Sequence, residues 1–297
     1  VIVPSFTFAA SAEVMPFLNA IPIFAEIEDS SFNLDPEKLP AALAAGTAAG
    51  IDIVGIIGVG LFGQPANYVA IKTFANDHGL WLVDDAAQSF GATLHDQPVG
   101  QLADVTCTSF FPAKPLGAYG DGGAVFTDDV KIAEIVRSCR IHGMGQNKYE
   151  NIRIGMTGRL DSMQAVVLDA KLDIFADELS LRQRVADRYA ALLEWVVDVP
   201  ALSNGATSSW AQYVIKLPRG TDRSALIQKM GTLGVPTAIY YPVPMHRQLP
   251  YAKYPVSGCN LPVTMDLCDR VLALPMHPYL EVAQQEHVAA SLKDALA

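Results

Sequence analysis

Cysteine is scarce and scattered: Cys107, Cys139, Cys259 and Cys268 are the only four in a chain of 297 residues, and no two form a C-x-x-C pair. Disulfide frameworks and zinc sites both require tighter spacing, so these residues read as reduced thiols of a cytoplasmic protein. Cys107, inside an apolar strand-like run, reads as a small buried residue. Positive charge is also in short supply. Against 31 Asp and Glu stand 21 Lys and Arg, a formal net charge of −10. That balance repels phosphate backbones and leaves nucleic-acid binding without electrostatic support; an anionic substrate would need a local basic pocket. Long hydrophobic runs are missing too. The best candidate, Ala41 to Gly63, carries Asp52 as its one charge. Its glycines and the Gln-Pro turn that follows fit a helix plus a buried strand, not a membrane span. No internal repeat, low-complexity tract or signal peptide is visible. The sequence opens on Val1 inside a strand-like stretch, which predicts that upstream residues belong to the same protein.

What the chain does have is apolar sequence in short, regularly interrupted runs, 51% of its residues being hydrophobic. Ile51–Gly60 reads as a buried strand and Pro65–His78 as a helix. Leu80–Val83 is a strand ending at Asp84-Asp85, with further strands at Val105–Phe111 and Ala124–Phe126 and a helix over Asp128–Ile141. Strands apolar on both faces and separated by helices predict an α/β fold with a mainly parallel sheet covered on both sides, ligands gathering beyond the carboxyl ends of the strands. A long helical stretch from Arg159 to about Trp195 leads into a second unit. That unit has a strand at Gln212–Lys216, a helix at Ser224–Leu233, a turn-rich Tyr240–Pro255 and a closing helix near Val282–Leu296. The expected division is a large domain over 1–170 and a smaller α+β domain over 171–297.

Three stretches carry chemistry. Gly58-Val-Gly-Leu-Phe-Gly63 matches the G-x-G-x-x-G spacing of a dinucleotide site, with acidic residues about twenty positions on. In such a site the third glycine packs inside a helix already under way. Here the helix begins after it, with Pro65 suited to a first turn, so the spacing reads as a structural turn. The second stretch is Thr108 to Gly123, in which Lys114 follows a buried strand and is bounded by glycines. Such a lysine either packs its stem locally with its ammonium in water, or is an amine held out of bulk solvent and able to form a Schiff base. The third is Val83-Asp-Asp-Ala-Ala-Gln88. Either aspartate caps the next helix, or a strand-end carboxylate keeps a pyridinium nitrogen protonated while small residues let a flat ring approach. A strand-end Asp and a loop Lys on one edge of a parallel sheet together suggest a pyridoxal phosphate site.

The chain resembles the DegT/DnrJ-type, StrS-like nucleotide-sugar aminotransferases over essentially its whole length. The likeness runs through Val3-Pro-Ser-Phe-Thr-Phe8, Phe32-Asn-Leu-Asp-Pro36, Gly63-Gln-Pro65, Asp85-Ala-Ala-Gln88 and Ser109-Phe-Phe-Pro-Ala-Lys114. It continues in Gly120-Asp-Gly-Gly123, Gly158-Arg-Leu-Asp161 and Tyr241-Pro-Val-Pro-Met-His246. The resemblance implies the aspartate-aminotransferase fold (fold type I) and pyridoxal 5'-phosphate as cofactor. It implies that Lys114 carries the cofactor covalently, Asp85 binds the pyridine nitrogen and Gln88 the phenolic oxygen. Ala87 and Phe8 would lie on the two ring faces, and Ser109 would hold the phosphate. Arg159 would contact the substrate through a carboxylate or diphosphate, or else bonds an adjacent carbonyl; Tyr241 and His246 either line the sugar pocket or are held for structure alone by the turn of Pro242, Pro244 and Pro250.

Two departures from the family pattern stand out. The upstream G-T-x-A-L phosphate segment is not in this sequence, and Thr157 stands where an Asn is expected to reach the phosphate from a neighbouring subunit; its hydroxyl still donates but is shorter. The implied reaction is a two-step transamination from L-glutamate to a keto nucleotide sugar, in a homodimer with sites at the subunit interface. Relatives with His in place of the lysine are sugar dehydratases, so Lys114 favours transamination. A non-catalytic homologue is the other alternative. His142-Gly143, Tyr149 and Tyr240–Pro244 resemble the subgroup acting on 3-keto sugars, including keto-hexuronates of surface polysaccharides.

Overall fold

The computed structural model describes residues 1–297. A six-stranded sheet is built from β1 (Ile2–Pro4), β2 (Ile23–Ala25), β3 (Gly55–Val59), β4 (Trp81–Asp85), and, after a small hairpin of β5 (Thr93–Leu94) and β6 (Gln97–Pro98), from β7 (Val105–Ser109) and β8 (Gly123–Phe126). Its order is β2-β1-β3-β4-β7-β8, parallel throughout except for β8. β3, Gly-Ile-Ile-Gly-Val, is buried at every position, as expected for a central strand covered on both faces. On one face α2 (Leu39–Ala48) and α3 (Tyr68–Asp77) pack Leu39, Ala42 and Ile71 against Ile2, Ile56 and Leu82. On the other, α1 (Ala10–Phe17) sets Ala12 and Met15 against Val3, Phe24 and Ile57.

Local chemistry sets the helix starts. α3 begins at Tyr68, three residues later than the sequence predicts, because the Asn67 side chain accepts the Ala70 N–H and fixes the cap there. α4 (Val130–Cys139) is capped by Asp129, which accepts from Lys131 and Ile132. α5 runs unbroken over Ser162–Leu193. The expected division after residue 170 falls inside it. Leu168 and Phe175 pack with Phe110 and Leu116 of the first domain, whereas Val185, Tyr189 and Leu193 enter the core of the second.

The second domain pairs β9 (Tyr213–Lys216) with β10 (Val271–Leu274) in antiparallel register and packs α6 (Arg223–Thr232) and α8 (Val282–Leu296) over them. Sequence periodicity did not foretell α7 (Pro262–Arg270) or β10, which follow one another with no turn between. α7 draws its cap from the other domain. The residue before it, Leu261, has φ 45° and offers no side-chain acceptor. Instead the buried Glu26, just past β2, accepts the N–H groups of Val263 (2.9 Å) and Thr264 (2.9 Å) and the Thr264 hydroxyl (2.6 Å). A third core, of Phe6, Phe32, Phe62, Val214, Leu267 and Val271, joins the domains nearby. The four cysteines are free, Cys107 being half-buried where the sequence suggested full burial, and no helix is long and apolar enough to cross a membrane.

Candidate active site

Parallel pairing brings the carboxyl ends of β1, β3, β4 and β7 to one edge, with Val59 opposite Asp85 and Asp85 opposite Cys107. Strand alternation separates the two aspartates. Asp84 points into the core, where the Tyr68 hydroxyl donates to it at 2.5 Å and the Thr106 hydroxyl at 3.5 Å, and burial pushes its carboxyl up to about 7. Asp85 faces the opposite way and is half-buried. Its Oδ2 accepts from the Ser11 hydroxyl at 2.6 Å and its Oδ1 from the Ala87 N–H at 3.1 Å. A carboxylate has about four acceptor positions, so Asp85 keeps room for a further donor. The pleat thus sends the two aspartates to opposite faces of the sheet.

Lys114 lies in the tight loop after β7, its N–H bonded to the Phe111 carbonyl at 2.9 Å. Glycine is required at 117, since a Cβ there would meet the Pro112 carbonyl oxygen at 2.5 Å, and the Lys171 ammonium ties down the Gly117 carbonyl. Burial lowers the Lys114 ammonium below its usual range, and the Asp85 carboxylate opposes that shift. The two side chains therefore lie within each other's field. The Lys114 ammonium makes no hydrogen bond or ion pair within the chain.

Gln88 is buried, its Oε1 accepting the Phe62 N–H at 2.8 Å and its Nε2 donating to the Tyr241 hydroxyl at 3.2 Å. One amide hydrogen is left over. Burial raises the Tyr241 phenol to about 12, and its ring lies 6.3 Å from Phe8. Phe8 is 57% exposed, unusual for a phenylalanine beside so much buried aromatic surface. Ser109 ends β7, and its Oγ accepts the Phe111 N–H at 3.2 Å, leaving its hydrogen free to donate. Phe8, Asp85, Ala87, Gln88, Ser109, Lys114 and Tyr241 thus share one edge of the sheet.

The turn at Gly58–Gly63 closes this edge. The Leu61 N–H bonds Asn33 Oδ1 at 2.8 Å and the Phe62 N–H bonds Gln88, while a Cβ at Gly60 would meet Ser89 Oγ at 2.0 Å. Two of the amides a pyrophosphate would use are engaged by side chains, in keeping with a structural turn.

His246 reaches the same edge through Ser5, just past β1, whereas Thr157 and Arg159 lie between α4 and α5. His246 is 7% exposed, with Nδ1 2.7 Å from Ser5 Oγ, and its buried Nε2 has no partner. Burial and the neighbouring Arg247 lower its pKa. Thr157 and Arg159 are exposed, Thr157 Oγ1 lying 2.9 Å from His142 Nε2. Neither makes a hydrogen bond to the residues of the sheet edge. Two residues of the site escaped sequence reasoning: Ser11 and Thr7, whose hydroxyls are 2.9 Å apart. Their signal is faint, since small hydroxyl residues around a helix start ordinarily serve as caps.

At the carboxyl edge of a mainly parallel α/β sheet, a lysine whose charge is disfavoured by burial lies within the field of a strand-end carboxylate, the kind of pairing that a pyridoxal-phosphate enzyme uses. Residues 1–293 match the DegT/DnrJ/EryC1/StrS aminotransferase family, and the chain belongs to it. A UDP-2-acetamido-2-deoxy-3-oxo-D-glucuronate aminotransferase of Pseudomonas aeruginosa is 40% identical over 293 residues, covering 98% of this chain and 78% of that one. A DegT DnrJ EryC1 StrS aminotransferase from Brucella abortus superimposes with a TM-score of 0.96 at 44% identity, over 100% of this chain and 79% of that one. NtdA from Bacillus subtilis, solved with bound cofactor PMP, gives a TM-score of 0.87 at 28% identity, over 99% and 67% of the two chains. Enzymes of this family depend on pyridoxal phosphate.

Proposed function

We propose that the chain transfers the amino group of L-glutamate to a keto nucleotide sugar, with pyridoxal 5'-phosphate as cofactor. The observation that carries this reading is the placing of Lys114 within the field of Asp85, an amine whose protonated form is disfavoured by burial and a carboxylate with acceptor capacity to spare. The donor set fits the cofactor: an amine for its aldehyde, a carboxylate for its ring nitrogen, a small residue and an open phenyl for its two faces, and a free hydroxyl for its phosphate. When bound, the cofactor supplies an electron sink that stores the amino group between the two half-reactions.

Asp85 would hold the ring nitrogen protonated, and Gln88 would give its remaining amide hydrogen to the phenolic oxygen. Ala87 would back the ring, Phe8 would cover it, and Ser109 would donate to the phosphate. Lys114 would tether the cofactor and, once released, take the proton from the donor's α-carbon; burial lowers its pKa and so favours the neutral amine. Thr157 would reach the phosphate of a neighbouring subunit's site. Exposed Ile152, Ile154 (97%), Met156 and Met163 flank Thr157 and Arg159, and this apolar surface supports a homodimer. Arg159 and Tyr241 would contact the sugar nucleotide. His246, buried on Ser5, would act on the sugar side by fixing the Tyr241–His246 segment, whose Met245 N–H also bonds the Ser5 carbonyl at 2.8 Å.

The likeness to the 3-oxo-glucuronate enzyme supports a 3-keto substrate, such as a UDP-3-keto-hexuronate or a dTDP-3-keto-deoxyhexose, used in surface polysaccharide or O-antigen synthesis. Free cysteines suit a cytoplasmic enzyme. The test is to add pyridoxal phosphate to the purified protein, follow the visible absorbance, then add L-glutamate and a panel of keto nucleotide sugars. A band that bleaches with glutamate and returns with one 3-keto sugar is expected. Absence of any cofactor band would end the proposal.

A further inference from the structure

We infer that Ser11, backed by Thr7, is a positioning residue for the reaction: the two form a buried hydroxyl chain that locks the Asp85 carboxylate for its partner on the ring. This rests on the assignment of Asp85 made above. An ionised carboxylate only accepts, so the 2.6 Å contact to Oδ2 commits the Ser11 hydrogen to Asp85. The 2.9 Å contact between Ser11 and Thr7 then requires the Thr7 hydroxyl to donate. The chain therefore has one direction, from Thr7 through Ser11 to Asp85, each bond polarising the next and the last being charge-assisted.

Neither hydroxyl is needed for anything else in the fold. Thr7 and Ser11 have no other side-chain partner, and the N-cap of α1, Ala9, takes no side-chain cap. They are 3% and 4% exposed, so water has little access to take their place. Asp85 is gripped from both sides, by Ser11 on Oδ2 and by the Ala87 N–H on Oδ1, which fixes the rotation of the carboxylate. A lysine or arginine in the place of Ser11 would also orient it but would neutralise the charge that the ring nitrogen needs. A neutral hydroxyl orients without competing. Thr7 is also the immediate neighbour of Phe8, so one segment carries both the ring cover and the far end of this chain.

The test compares the holoenzyme with Ser11→Ala, Thr7→Val and Thr7→Ser. Four quantities are read: the dissociation constant for pyridoxal phosphate, the pH midpoint of the visible cofactor band, and kcat and KM for glutamate. Loss of a hydrogen bond to a charged group predicts cofactor binding and kcat about tenfold weaker in Ser11→Ala, with a displaced band midpoint and KM for glutamate within about twofold. Thr7→Val, which keeps the shape, should move the same quantities in the same direction by less, and Thr7→Ser, which keeps the hydroxyl, should match the parent. Parental band midpoint and cofactor affinity in Ser11→Ala would overturn the inference. If Ser11→Ala does not fold, the Thr7 pair decides, and indistinguishable Val and Ser variants overturn it. A parent protein with no cofactor band would instead overturn the Asp85 assignment, and this inference with it.

Discussion

Two acids stand at strand ends in this molecule, Glu26 at the joint between the domains and Asp85 at the cleft, and they are provisioned differently. Glu26 takes three backbone N–H groups and a hydroxyl, distributed over both oxygens, with Ile27 supplying the third at 3.1 Å. Asp85 takes one hydroxyl and one N–H. A carboxylate whose acceptor positions are filled by the protein is a fixture; one held firmly but left with open positions is prepared for something the protein does not contain. Asp84 adds a third case. Adjacent in sequence to Asp85 but on the other side of the strand, it is fully buried, and burial outweighs its two hydroxyl donors so that it favours its neutral form up to about pH 7.

The comparison is broken most directly at the cleft. Lys114→Ala should lose the visible cofactor linkage and at least about a thousandfold in transamination, while its thermal midpoint changes little, because the amine has no structural partner; single-turnover and melting measurements check both. A paired test sharpens the contrast between the acids. Asp85→Asn should lower kcat by about a hundredfold with the fold intact, whereas Glu26→Ala should leave kcat per folded molecule near normal and reduce stability by about 3 kcal/mol, because buried amides lose their acceptor. Urea denaturation alongside kcat measurement separates the two, and the reverse pattern would refute the distinction.

The smallest effect concerns Asp84. Its pKa is raised from 3.8 to about 7, so the fold favours the protonated form. The stability this confers is present below pH 4 and is lost as pH rises through about 7. Asp84→Asn, neutral throughout, should flatten that decline, which urea midpoints at pH 4, 6 and 8 would show.

Much of the fold was legible in the sequence because β3, β4 and β7 are short apolar runs bounded by breakers, and α4 and α8 have clear starts and periods. The candidate site was legible as two fragments, Asp84-Asp85 and Lys114, whose shared sheet edge follows from parallel topology. Periodicity failed at α7 and β10, where a helix capped from another domain runs straight into a strand. Which aspartate faces the cleft depends on the phase of the pleat, and the Thr7–Ser11–Asp85 chain depends on packing between α1 and β4. Local pattern carries neither. The segment with Thr157 and Arg159 carries no periodic pattern, and only the fold shows its Leu160 packing beside Phe110, near the start of the Lys114 loop.

The long helix α5 has a mechanical consequence. Over 32 residues it is a rod of about 48 Å, and its two halves are mortised into different cores. Neither core can melt without freeing one end of this shared beam and exposing the apolar stripe it had covered in the other. Heating should therefore yield one calorimetric peak rather than two, the whole chain behaving as a single cooperative unit despite its separate cores.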